Sequence, residues 1–185
     1  MSEVAINAPN LWRLETPGHA GWQRSARVAD PQKYFMVSTD SHANEPADLW
    51  VKRIDAKYRE RVPRIIVDEK GVQWRYCEGY RPDKVRVMSF EGEDWLRSQS
   101  GADPAQRVKD NQADGIDVEI FFPNKGLAMW ATPDPTFSLA QCRVWNDWAW
   151  EQFGAYPQSM LPVAAIAPGD LEETLAEIER CAKIG

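Results

Sequence analysis

Phe35-Met36-Val37-Ser38-Thr39-Asp40-Ser41-His42-Ala43-Asn44-Glu45-Pro46 is a short apolar run that ends in Asp-x-His, with a Glu and a Pro close behind. The run Phe35–Val37, flanked by polar turn formers, predicts a buried strand. At the end of a strand, residues i and i+2 point to one side, so Asp40 and His42 can converge on a point. A carboxylate oxygen and an imidazole nitrogen placed in this way form two thirds of an open divalent-metal site. The same residues also suit a polar turn that caps the next helix, with His42 hydrogen-bonded locally. His42 is one of only two histidines in the chain, and the other, His19, sits in a turn-rich Pro-Gly-His-Ala-Gly segment.

Composition narrows the classes. A chain of 185 residues with 43% apolar residues can build one sizeable core. Its 27% charged residues are too few for a wholly disordered chain. The net charge is −6 and no Lys/Arg cluster appears, which argues against nucleic acid or an anionic membrane as partner. No apolar run approaches ~20 residues, so no membrane span is expected. Cys77, Cys142 and Cys181 are odd in number and far apart, as in a cytoplasmic protein with reduced thiols. The nine tryptophans are read as core and subunit-contact packing.

Residues 1–33 lack periodicity and are expected to form an extended arm. Pro46 should open a helix that runs to Val62, with Trp50, Ile54 and Tyr58 on its buried stripe. Residues 64–78 read as a β-hairpin around Asp68–Gly71, outside the main sheet and available as a lid or subunit contact. It begins an insertion over about 63–103 whose later part, from 77, is loop-rich.

From Asp103 the pattern alternates. Asp103 and Pro104 start a helix to about Ala113. Residues 116–122 form a strand ending at Pro123-Asn124. Asp134 and Pro135 start a helix to about Tyr156, with Leu139, Cys142, Asn146, Trp150 and Phe153 inward. Asn146 and Asp147 are read there as buried hydrogen-bonding groups. The apolar run 161–167 suits a parallel strand covered on both faces. Asp170 caps a last helix, with Leu171, Leu175, Ile178 and Ala182 as its buried stripe. Three strands alternating with helices predict an α/β fold with parallel pairing, either a doubly wound sheet or a (β/α)8 barrel. No Gly-x-Gly-x-x-Gly follows the first strand, which weighs against dinucleotide binding.

Three segments together go beyond pattern: Asp40-Ser41-His42-Ala43-Asn44-Glu45-Pro46-Ala47-Asp48-Leu49-Trp50; Ala113–Ile120 with Phe122-Pro123-Asn124; and Arg143–Trp148 followed by residues 161–167. In order and spacing they resemble the amidohydrolase-related family, metal-dependent hydrolases and decarboxylases similar to aminocarboxymuconate semialdehyde decarboxylase and γ-resorcylate decarboxylase. The resemblance covers about residues 34–185. It implies a TIM-type (β/α)8 barrel, of which this chain would hold the first three βα units, with its site at the C-terminal ends of the strands.

The resemblance also implies a divalent metal, zinc first, held by Asp40 and His42, and a small carboxylate, amide or ring substrate that is hydrolysed or decarboxylated. Many relatives carry His-x-His or Glu-x-His where this chain has Asp-x-His. Glu45 either reaches the metal, supports His42, or is an acidic residue near a helix N-terminus. Asn124 either lines the pocket or turns the chain after Pro123. Family members use a later histidine and a late aspartate, whereas no histidine follows His42 here. The chain is therefore expected to be the N-terminal portion of a longer enzyme, with a non-catalytic α/β fragment or subunit as the alternative. Alone it is expected to be weakly stable or homo-oligomeric.

Overall fold

The computed structural model describes residues 36–85, 90–99 and 103–185. The arm expected over 1–33, with His19, lies outside them. The described chain runs β1 (Val37–His42), α1 (Leu49–Arg53), β2 (Arg64–Val67), β3 (Gln73–Cys77), β4 (Tyr80–Lys84), α2 (Gly92–Gln99), α3 (Pro104–Asp114), β5 (Val118–Phe122), α4 (Pro135–Phe153), β6 (Met160–Pro162) and α5 (Leu171–Ile184). Short 3-10 turns occupy Ala56–Tyr58 and Lys125–Trp130.

The strands fall into two separate sheets. β1, β5 and β6 lie side by side in chain order, and both pairings are parallel. Parallel neighbours need long crossovers, and the connections through α3 and α4 supply them. β2, β3 and β4 form a second, antiparallel sheet. The predicted hairpin is therefore present and lies outside the parallel sheet. Its turn closes because one Asp68 carboxylate oxygen accepts the N–H groups of Lys70 and Val72, both at 2.9 Å.

The core sits between the parallel sheet and α1 and α4. Trp50, Phe121, Phe137, Trp145, Phe153 and Met160 are buried there. Phe121 meets Phe153 edge-on at 4.4 Å between ring centres, an arrangement that aromatic quadrupoles favour. The helix starts follow the predicted chemistry. The Asp103 carboxylate accepts Ala105 N–H, Asp134 accepts those of Thr136 and Phe137, and Asp170 accepts that of Glu173.

Several expectations are corrected. The first strand, β1, ends at His42 opposite Phe122, as expected of a strand ending at Asp40–His42, but its residues are exposed or half-buried and not buried. The expected helix 46–62 breaks after Arg53, where Ile54 turns extended at ψ 156°. Trp50, Ile54 and Tyr58 are nevertheless all buried, so burial survives the break. The supposed loop after residue 77 contains β4 and α2.

The strand expected over 161–167 pairs only as Met160–Pro162. Beyond it, side chains of α4 replace a neighbouring strand: Trp145 donates to Val163 O, and Asn146 bonds both Ala165 O and Ala165 N–H. Asp147 is half-exposed and pairs with Arg180, and Trp150 is exposed at the surface.

The last helix is turned over relative to its predicted stripe. Thr174 and Glu177 are buried, while Leu171, Leu175 and Ile178 are 71%, 51% and 43% exposed. The buried carboxylate wins because Arg143, Arg180 and Asn146 all donate to it. Among the described residues no helix is long and apolar enough to cross a membrane.

Candidate functional site

The C-terminal end of β1 projects Asp40 and His42 to one side. A register irregularity falls between Ser38 and Ser41, so the strand gains a residue beside the site. The result leaves Asp40 Oδ1 3.8 Å from His42 Nε2, with the two side chains 90% and 41% exposed. Neither is locked into the core.

The other imidazole nitrogen is fixed. His42 Nδ1 lies 2.9 Å from the carbonyl oxygen of Pro123. A carbonyl only accepts, so Nδ1 carries the proton and, in the neutral ring, Nε2 carries the lone pair. The nitrogen free to bind an electrophile is thus the one facing Asp40. The backbone on either side is anchored: Ala43 N–H donates to Phe122 O, and Arg107 Nη1 donates to His42 O at 3.0 Å.

Asp40 and His42 suit one edge of a divalent cation's coordination sphere, because tetrahedral zinc with bonds of about 2.0–2.2 Å needs donors roughly 3.4 Å apart. The exposed carboxylate closes that difference by a small rotation. Among the described residues no group of three or more His, Cys, Asp or Glu side chains is gathered for a metal. For a metal, the pair would supply only part of a ligand set.

Glu45 does not support His42. Its buried carboxylate accepts the N–H groups of Asn124, Lys125 and Gly126 at 2.9, 3.0 and 3.2 Å. It caps the 3-10 turn after β5, not a helix over 46–62. Gly126 is needed in that cradle, since a Cβ there would lie 2.7 Å from the Met129 methyl and 2.9 Å from Trp50 Cζ2. The turn brings round Lys125, whose ammonium donates to Asn44 Oδ1 at 2.7 Å and to the Glu45 carbonyl.

Asn124 is exposed and lines a cleft between this turn and the antiparallel sheet, together with Pro63, Arg75, Cys77, Tyr80, Lys125 and Leu127. Two cations face this cleft. Burial holds the Lys125 ammonium below the ordinary lysine value; Glu45 opposes that shift and the Arg75 charge reinforces it. Among the described residues Arg75 has a loose ion-pair partner, Asp83 at 3.8 Å. Positive charge that is partly desolvated and incompletely paired favours an anionic guest.

Sequence reasoning passed over Arg75, Lys125 and the buried pair Arg107–Glu119. The last had a visible signal: Glu119 is a carboxylate set between Val118 and Ile120 in the apolar strand 116–122. It receives Arg107 through two bonds of 2.6 and 2.5 Å, and Asn111 at 2.8 Å. Burial pushes the Glu119 carboxyl up, but these donors outweigh it and hold it below its usual value.

No protein-family model matches the chain, and no curated protein matches it by sequence. Among solved structures, an amidohydrolase from Mycobacterium avium subsp. paratuberculosis K-10 overlays on it with a TM-score of 0.65 at 17% identity, over 82% of this chain and 47% of that one. A 2,6-dihydroxybenzoate decarboxylase from Rhizobium gives 0.44 at 19% identity over 80% of this chain and 35% of its own. A 2,6-dihydroxybenzoate decarboxylase complexed with 2,6-dihydroxybenzoate gives 0.42 at 18% identity over 82% and 36%. At such identities likeness speaks to fold alone. The chain thus spans about half the length of the amidohydrolase it overlays, and over that span it has the amidohydrolase's fold.

Proposed function

We propose that this chain supplies the first three βα units of a (β/α)8 enzyme of amidohydrolase type, one that hydrolyses or decarboxylates a small carboxylate, amide or ring substrate. The observation that carries this is the pair at the end of β1: Asp40 Oδ1 and His42 Nε2 3.8 Å apart, with the His42 proton held on the far nitrogen by Pro123 O. A histidine that donates its second N–H to a carbonyl is the usual arrangement of a metal-binding imidazole. A divalent metal, zinc first, would supply Lewis acidity at this place. Asp40 and His42 would hold it from one side. Arg75 and Lys125 would orient a substrate carboxylate in the cleft beside Asn124, and the antiparallel sheet would wall that cleft from water.

A second reading has its own support. Only two metal donors are gathered among the described residues, which suits a non-catalytic α/β module or a subunit completed by another chain. A zinc titration of the 185-residue chain, of Asp40→Asn and of His42→Ala separates the two. Saturable binding that both substitutions weaken supports the metal role. Binding that neither substitution changes removes it.

A further inference from the structure

Arg107 lies on α3, Glu119 on β5 and His42 at the end of β1. All three meet at one guanidinium. Two of its nitrogens donate to the Glu119 carboxylate in fork fashion, and the third, Nη1, donates to the main-chain carbonyl of His42 at 3.0 Å. Both side chains are buried, and the Arg107 guanidinium lies 5.0 Å from the Phe121 ring centre. Asn111 supplies a further donor to the same carboxylate.

A buried ion pair is a poor device for stability alone, because removing two charges from water offsets most of their attraction. An apolar pair would hold α3 on β5 about as well. What an apolar pair cannot do is donate a bond to the His42 carbonyl. The ladder to β5 shifts register between Ser38 and Ser41 and resumes at Ser41 and His42, and the guanidinium adds a side-chain tie to that resumed strand end.

We infer that Arg107 and Glu119 are positioning residues for the Asp40–His42 pair, with Glu119 aiming the guanidinium and Arg107 fixing the His42 backbone so that Nδ1–H meets Pro123 O and Nε2 faces Asp40. The functional meaning of this role rests on the proposed metal site, and the geometry itself is tested without it. Lys at position 107 would keep a charge opposite Glu119. Its single ammonium could not serve the carboxylate fork and the His42 carbonyl at once.

The test uses the full chain with nitrogen-15-labelled histidine, at a pH where the ring is neutral. Long-range proton–nitrogen spectra report which ring nitrogen of His42 carries the proton. His42→Ala assigns the signal, since the chain has only two histidines. The wild type should show the Nδ1–H tautomer. Arg107→Met combined with Glu119→Leu should keep a cooperative melt yet shift His42 towards the Nε2–H form of a solvated imidazole. Zinc titration followed on the same signals should weaken by roughly 10- to 100-fold. If the double variant does not fold, Arg107→Lys takes its place with the same expectation. An unchanged His42 tautomer in a folded variant overturns the proposal. Equal zinc responses in wild type and Asp40→Asn would instead remove the metal reading, and the tautomer would still decide the positioning role.

Discussion

Asn146, in the middle of α4, makes a reciprocal pair of hydrogen bonds with the backbone of Ala165: Nδ2 donates to Ala165 O at 2.9 Å, and Ala165 N–H donates to Oδ1 at 2.7 Å. A side-chain amide thus does for residue 165 what a neighbouring strand would do. The same Nδ2 also donates to Glu177 at 2.7 Å, so one residue ties β6's continuation and α5 to α4. Asn146→Leu keeps the volume and leaves a buried N–H and C=O unpaired. It should lower stability by about 2–6 kcal/mol, at 1–3 kcal/mol for each of the two orphaned groups. Urea unfolding checks this, and a loss under 1 kcal/mol would refute it.

Glu177 makes stability depend on acid. Burial alone would raise its carboxyl, but donors from Arg180, Asn146 and Arg143 outweigh burial and pull it from 4.5 down to about 2. A depressed folded-state value means the contribution is complete above about pH 4.5 and fades as pH falls towards 2. The difference corresponds to about 3 kcal/mol at 1.36 kcal/mol per pH unit. Melting temperature should therefore drop between pH 5 and pH 3. Glu177→Gln should start lower at neutral pH and show a flatter drop. Parallel pH curves for the two proteins would contradict this.

The cleft beside Asn124 should take small aryl carboxylates. Benzoate is a suitable probe, and its binding should weaken several-fold in Arg75→Met and in Lys125→Met and fall with added salt. Ligand-observed NMR gives the affinities. Salt-independent binding that tolerates both substitutions would place benzoate elsewhere.

Gly79 joins β3 to β4 at φ +80°, and a Cβ there would lie 2.3 Å from Ala131 O. Backbone cannot yield as a flexible side chain can. Gly79→Ala should cost more than the ~1–2 kcal/mol of a left-handed alanine alone. It should also loosen the neighbouring latch, in which Arg61 bridges Glu78 and Asp134. Calorimetry would show this as a lower melting temperature, whereas an unchanged one would mean that the turn moves freely.

Association through α5 is proposed from the outward stripe Leu171, Leu175 and Ile178. Exposed apolar rows of this kind favour contact with another surface. Leu175→Glu combined with Ile178→Lys should leave the fold intact and reduce the weight-average mass seen by light scattering at high concentration. A monomeric wild type would end this proposal.

Local chemistry in the sequence determined the helix starts at Asp103, Asp134 and Asp170, the turn at Asp68 and the same-side placement of Asp40 and His42. Each rests on groups within a few residues of one another. The break after Arg53, the third strand of the antiparallel sheet and the reversed face of α5 were decided by tertiary structure. In each case a distant partner outweighed the local pattern. The clearest is α5, where periodicity marks Leu171, Leu175 and Ile178 for burial. Arginines from two helices and Asn146 make Glu177 the better residue to bury, because a carboxylate with four hydrogen bonds donated by nitrogen no longer suffers the full loss of its water. The site divides in the same way: the sequence placed Asp40 and His42, but only the fold brought Pro123 and Arg107 to His42, and Lys125 to Asn44 beyond it, from more than 60 residues away.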